Sequence, residues 1–246
     1  LKSKTDEPAP TTRTVTLPKI EIEEDVRGNI VIIIDDFGYR DDNVSEGFLL
    51  LDANLTFAVI PGHHNSKVFA AKAEQRGFEV IVHMPMESTT KTPGEKEYML
   101  STSMTSSEIE NRVEQVIAEF PEAVGMNNHQ GSKATADKRI MNIVSNILKR
   151  HGKYFIDSRT TAETVAETTM RSRGIPTMRR HVFLDNENKK IKIREQLYKL
   201  VDKAELKGLA VGIGHAKINT FEVLKEEIPK LKEYGFEFQF ASFAVE

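Results

Sequence analysis

Short β-branched and aromatic runs alternate along this chain with segments whose apolar residues recur every three or four positions. The runs are NIVIII (29–34), LTFAVI (55–60), EVIVH (79–83), AVGM (123–126), KYFI (153–156) and LAVGI (209–213), with a weaker pair, IPTM and VFL, near 175–184, and FEFQF (236–240) at the end. Continuous apolar runs of this length suit strands buried on both faces. Between them lie helical stripes: Ile109, Val113, Val116, Ile117 and Phe120; Ile140, Ile143, Val144, Ile147 and Leu148; Ile193, Leu197, Leu200, Val201 and Ala204. At Gly77, Gly152, Gly174, Gly208 and Gly235 a helical pattern ends in glycine and a strand begins at once. That position stops a helix in the left-handed region, where a Cβ is penalised.

Repeated helix-to-strand turns predict βαβ units and a parallel sheet. Seven or eight units in about 215 residues predict an α/β fold, a distorted (β/α) barrel of about seven parallel strands over residues 29–246, with a doubly wound open sheet as the fallback. Residues 1–28 are polar and rich in Pro and Thr, and read as a tether or arm with a short edge strand at Lys19–Glu23.

Composition narrows the function classes. With 34 basic and 37 acidic residues the formal net charge is −3, which gives no electrostatic reason to expect nucleic acid. No apolar run approaches the ~20 residues of a membrane span. A processed signal peptide is compatible with a chain that starts at Leu1. There is no cysteine, so any metal must be held by His, Asp or Glu.

The polar residues cluster where strands end. Asp35 and Asp36 close the first run, His63 and His64 (IPGHHN) follow the second, and His83 ends the third. His129 (MNNHQGS) follows the fourth, Asp157 (FIDSRTT) ends the fifth, and His215 (VGIGHAK) ends LAVGI. In a parallel barrel these ends share one rim, where active sites are built. Two carboxylates within about 4–6 Å push one pKa up, and a divalent cation removes that penalty. One Asp can then ligate while the other moves a proton, and two imidazoles complete the three-ligand pattern of a hydrolytic zinc site. Each motif has a plainer reading when taken alone. DDFG can be a turn or cap, His83 a core histidine, and the Asn- and Gly-rich turn around His129 a set of backbone contacts. Asp157 or Ser158 can cap the following helix, and His215 can be a packed histidine. His63 and His64 suit substrate contact as well as ligation. Glu87, four residues after His83, can be a ligand, a hydrogen-bond partner to an imidazole or a substrate contact. TPGEKEYM (92–99) has turn composition and suits a mobile lid.

The ordered set IIIDDFG, VHMPME, GMNNHQGS, FIDSRTT, VFLDN and GIGHA resembles the divergent polysaccharide deacetylase family, over about residues 29–240. The resemblance implies a deacetylase of N-acetylated cell-wall-type sugars, O-acetyl esters being the variant chemistry. It implies one divalent metal, best matched by Zn2+, an acetylated glycan as partner and an extracytoplasmic location. Separately, the chain is expected to be a monomer. It implies Asp35 as general base, Asp36 as metal ligand, His215 as general acid and Asp157 as the support of His215. Family members carry their two metal-binding histidines spaced H-x-x-x-H. Here that spacing pairs His83 with Glu87, so the second imidazole is expected from His129. The family's base-tuning arginine is absent from NNHQGS, and Arg159 is the substitute at hand. Two rival readings stand beside this one. The first is a non-catalytic metal-containing glycan-binding protein, which the missing arginine favours. The second is a metal phosphoesterase, disfavoured because the expected rim shows few Arg or Lys to clamp a phosphate.

Overall fold

The computed structural model describes residues 26–90 and 94–245. The edge strand expected at Lys19–Glu23 and most of the expected tether lie outside the described residues. The strands are β1 (Gly28–Phe37), β2 (Thr56–Val59), β3 (Glu79–Met86), β4 (Gly125–Gln130), β5 (Tyr154–Asp157), β6 (Thr177–Arg179), β7 (Val182–Phe183), β8 (Leu209–His215) and β9 (Phe236–Gln239). The helices are α1 (Asn43–Phe48), α2 (Ser66–Gln75), α3 (Ser106–Glu119), α4 (Lys138–Arg150), α5 (Ala166–Ser172), α6 (Lys190–Lys207), α7 (Ile218–Glu233) and α8 (Ala241–Ala244).

Every strand pairing among the described residues is parallel, in the order β6-β5-β4-β3-β2-β1-β8-β7. This is the expected curled (β/α) barrel. The weak pair read from IPTM and VFL becomes β6 and β7, strands of three and two residues. They end the path, and only residues 180 and 181 separate them. The chain itself crosses this seam: Arg180 N donates to Asp157 O at 3.0 Å, and His181 N donates to Val211 O at 2.8 Å. β9 shares an edge of β1 with β2, pairing with residues 28–31 while β2 takes the upper part from Ile33.

Alternation along the strands builds two cores. Ile30, Ile32 and Ile34 of β1, Val80, Val82 and Met84 of β3, and Phe155 of β5 belong to the layer shared with the helices. Val31 and Ile33, Ile81, Ile156, and Val211 and Ile213 fill the barrel with Ala241 and Ala244 of α8. The inner face therefore follows odd residue numbers in β1, β3 and β8 and even numbers in β5. The helix stops behave as read. At Gly208, between α6 and β8, φ is 79° and an added Cβ would meet nothing within 4 Å. The left-handed backbone, not lack of space, demands glycine there.

Candidate active site

Asp35 continues the inward face of β1, one step above Ile33, and lies across from His215 in the register with β8. Strict alternation would send Asp36 outward. Instead the β1–β2 register shifts between Ile34 and Phe37, and Asp36 sits at φ 70°. This bulge turns both carboxylates to one cleft. Phe37 then points into the outer layer, stacked on Phe69 at 3.9 Å and edge-on to Phe57 at 4.9 Å. Gly38 follows at φ 117°, where a Cβ would come 2.5 Å from Ser66 Oγ.

His83 and His129 arrive from β3 and β4, both longer than their apolar runs. HMPM pairs residue for residue with NNHQ, so His129 is a strand residue opposite Pro85, not part of a turn. His83 and Asn127 share the inward face. Asn127 is fully buried; its Nδ2 donates to Asp35 Oδ1 at 2.8 Å, and its Oδ1 lies 2.7 Å from His83 Nδ1. A carboxylate only accepts, so the amide orientation is fixed and His83 Nδ1 must be the donor. In neutral His83 the lone pair is then on Nε2. That atom faces His129 Nδ1 at 3.0 Å and Asp36 Oδ1 at 3.4 Å.

Asp36, His83 and His129 thus offer three ligand atoms within 4.8 Å of one another. Asp36 Oδ1 lies 3.2 Å from His129 Nδ1, yet it is buried and lacks a partner with hydrogen-bond geometry. An orphaned carboxylate oxygen facing two imidazole nitrogens fits a divalent cation. The charges agree. Burial raises Asp36, but its contacts with His129 and His83 outweigh this and hold it far below the usual carboxylate range. Burial disfavours the His83 imidazolium, yet the Asp35 charge and the Asp36 contact push its pKa up to about 9. A proton and a dication therefore compete for one position. Burial raises Asp35, opposed by the charges of His83 and His215.

His215 closes the far side, its Nε2 3.9 Å from Asp36 Oδ2. Its support is Asp185, not Asp157. His215 Nδ1 donates to Asp185 Oδ1 at 2.8 Å, its backbone N donates to Oδ2 at 2.9 Å, and Thr220 Oγ1 donates to Oδ2 at 2.8 Å. The reason is alternation. In β5 the inward residues are Tyr154 and Ile156, so Asp157 faces the other way. It accepts instead from Arg159 N at 2.8 Å and Thr164 Oγ1 at 2.9 Å. Past β7, Asp185 keeps the inward parity of Phe183; sequence reading missed it, although VFLDN was the signal that could have located it.

Three further expectations change. Glu87 is no ligand: its carboxylate accepts from Ser101 Oγ, Thr102 N, Thr102 Oγ1 and Lys133 Nζ, pinning two loops together. Arg159 is not the cation beside the base; Arg180, in the seam between β6 and β7, interacts with both Asp35 and Asp157. Nor is the rim poor in basic residues. A cavity of about 400 Å³ is lined by Arg159 and Arg180 with Asp35, His83, His129 and His215. A second, of about 260 Å³, is lined by Arg40 and Lys217 with Asp36 and His215. Of the neighbouring histidines, His64 is exposed, while His63 Nε2 bonds Glu95 Oε1 at 3.0 Å. Glu95 also accepts from Tyr39 Oη at 2.6 Å, and its other oxygen lies 3.9 Å from His129 Nε2. The turn expected to act as a lid thus reaches towards His129, a candidate ligand, through a residue that its composition did not single out.

A parallel (β/α) barrel with an Asp-His-His group at its strand ends, flanked by a carboxylate and a carboxylate-supported histidine, defines the class. Residues 32–245 match the family described as divergent polysaccharide deacetylase, and the chain belongs to that family. It is 36% identical over 204 residues to the Escherichia coli protein YibQ, covering 83% of this chain and 63% of that protein. Its fold is similar to that of the Agrobacterium tumefaciens protein ATU2773, with a TM-score of 0.83 at 18% identity over 89% of each chain. It is also similar to the catalytic domain of a peptidoglycan N-acetylglucosamine deacetylase from Eubacterium rectale, with a TM-score of 0.53 at 15% identity over 87% of this chain and 90% of that one. These two likenesses concern the fold alone.

Proposed function

We propose that this chain is a metal-dependent hydrolase that removes acetyl groups, from nitrogen or oxygen, on a cell-wall-type glycan. The observation that carries the reading is the convergence of Asp36, His83 and His129 between Asp35 on one side and His215 on the other. Family membership and the fold likeness to a peptidoglycan deacetylase point the same way. One dication, for which two imidazoles and a carboxylate best suit Zn2+, would supply the Lewis acidity that polarises the acetyl carbonyl.

The remaining work falls to the chain. Asp35, oriented by Asn127, takes a proton from the attacking water as its oxygen bonds to the acetyl carbon. His215, held by Asp185, gives a proton to the departing nitrogen or oxygen as the bond to the acetyl carbon breaks. The products are acetate and a free amine or hydroxyl. Arg180 is the cation available to steady Asp35 as a base. Among the described residues there is one three-residue ligand group, which weighs against the two-metal chemistry of a phosphoesterase. No described helix is long and apolar enough to cross a membrane. The extracytoplasmic site of action that we propose rests on the proposed cell-wall substrate alone.

Elemental analysis of the purified chain, followed by acetate release from N-acetylated oligosaccharides, tests the reading. About one metal per chain and turnover that Asp35→Asn abolishes without loss of metal are expected. Full activity in that variant overturns the base assignment. Oligosaccharide binding with no acetate release from the wild type would put the binding-protein reading in its place.

A further inference from the structure

The larger cavity holds a cation that the proposed chemistry does not use. Arg159 lines it, half-buried, and its guanidinium makes no hydrogen bond or ion pair with any described residue. Its backbone is fixed in the left-handed region at φ 53° by the bond from its N–H to Asp157 Oδ1. Beside it, Arg180 is committed: Nε donates to Ser158 O at 2.8 Å, Nη2 donates to Arg159 O at 3.0 Å, and the guanidinium lies 4.7 Å over the Phe183 ring. Two guanidiniums thus share one cavity wall.

The protein's carboxylates near this wall are already engaged. Asp157 has given both oxygens to Arg159 N and Thr164 Oγ1, so it feels the Arg159 charge without an ion-pair contact to the guanidinium, and Asp35 accepts from Asn127. A half-buried cation beside a second cation, within reach of a substrate cleft, is stabilised most by an anion that arrives with the substrate. A guanidinium fork matches the plane of a carboxylate. Thr160 and the exposed Asn186, on the same cavity, add polar atoms around that position.

We propose that the glycan carries a carboxylate on or beside the acetylated sugar, and that Arg159 in the larger cavity grips it. This rests on the deacetylase reading of the same cleft and narrows its substrate to acidic sugars, with Arg159 as the specificity-determining residue.

The probe is a disaccharide of N-acetylglucosamine and N-acetylmuramic acid, whose lactyl group supplies the carboxylate, against the same disaccharide as its methyl ester. Affinity is measured by calorimetry on the metal-loaded full chain, and acetate release is measured in parallel. The wild type should bind the acid about tenfold or more tighter than the ester, the scale of one charged hydrogen-bonding pair. Arg159→Gln should collapse the ratio towards one, and Arg159→Lys, which keeps the charge but loses the fork, should leave an intermediate ratio. Equal affinities in the wild type overturn the proposal without needing any variant to fold, as does an undiminished preference in Arg159→Gln. Acetate release from both probes at equal affinity sinks the carboxylate site and leaves the deacetylase reading standing. Preference for the acid with no acetate release from either does the reverse.

Discussion

Replacing Asn127 with leucine, which has nearly the same shape, removes the amide that joins the proposed base to a proposed metal ligand. Two buried groups then lose their partners, Asp35 Oδ1 at 2.8 Å and His83 Nδ1 at 2.7 Å. Asn127 itself is fully buried and leucine fills its place, so water is kept from the two freed atoms. Each unsatisfied group costs about 1–3 kcal/mol. At roughly 2–4 °C per kcal/mol for a chain of this size, the metal-free melting temperature should fall by at least about 4 °C. The larger consequence is chemical. Without the amide oxygen, neutral His83 is free to place its proton on Nε2, the atom that must donate electrons to a cation. Losing such an orienting partner costs about 10–100-fold in metal affinity. Competition titration with Zn2+ and a chromophoric chelator reads this directly, with thermal unfolding in chelator as the stability arm. Unchanged Zn2+ affinity in Asn127→Leu would falsify the argument that the amide sets the tautomer. Asn127→Asp separates the two functions: the new carboxylate still accepts from His83 Nδ1 but faces Asp35, so metal should be kept while catalysis is lost.

Asp185→Asn should move the basic limb of the kcat profile to lower pH. Burial works against the His215 imidazolium, and the bond and charge of Asp185, with Asp36 and Asp35, raise its pKa above 6.5, so the acid form persists to higher pH in the wild type. The same substitution tests stability: the bonds from His215 outweigh burial and hold Asp185 below 3.8, so its contribution is fully present above about pH 4 and is lost as pH falls through the lower value. Denaturant melts of both proteins at several pH values check the sign. Phe37→Ala should cost about 3–5 kcal/mol, since it empties a site packed by Phe48, Phe57 and Phe69, and should also weaken Zn2+ binding because Phe37 anchors the backbone that presents Asp36. A destabilised variant with full Zn2+ affinity would show that the bulge holds without its anchor.

The barrel was legible because parallel strands buried on both faces are written as continuous apolar runs, and glycine marks most of the returns. Legibility failed where strands are polar. NNHQ reads as a turn, yet it pairs fully with HMPM because Asn127 and His129 face a polar cleft rather than a hydrophobic core. Asp35, Asp36, His83, His129 and His215 were found because strand ends share a rim. Asp157 was assigned to His215 by the resemblance alone, which says nothing about facing, and parity along β5 turns it away. The same parity, counted from Phe183, picks out Asp185. Arg180 was hidden for another reason: it lies in the seam, where two very short strands leave no periodic pattern to place it.

Three residues of the rim are non-glycine residues held in the left-handed region: Asp36 at φ 70°, Gln130 at 55° and Arg159 at 53°. Each such conformation costs about 1–3 kcal/mol and persists only where neighbours over-determine it. Here the neighbours can be named. On either side of Asp36, Asp35 O accepts from Ala216 N at 3.0 Å and Phe37 O from Ile60 N at 2.9 Å. The Gln130 carbonyl accepts from Asn128 Nδ2 at 2.7 Å and Thr160 Oγ1 at 2.8 Å. Arg159 is tied through its N–H to Asp157 and through its carbonyl to Arg180. A regular strand end offers a cleft only every second side chain, and these turns lift that limit. The bulge at Asp36 makes two adjacent carboxylates available to one centre, which alternation forbids. At the end of β5 the same device changes the meaning of Asp157: the acid expected to serve the general acid instead fixes the turn that carries Arg159 to the cleft wall. The chemistry of this rim therefore depends on backbone departures as much as on residue identity, and substitutions that relax a left-handed turn should disturb the site even when every proposed ligand is kept.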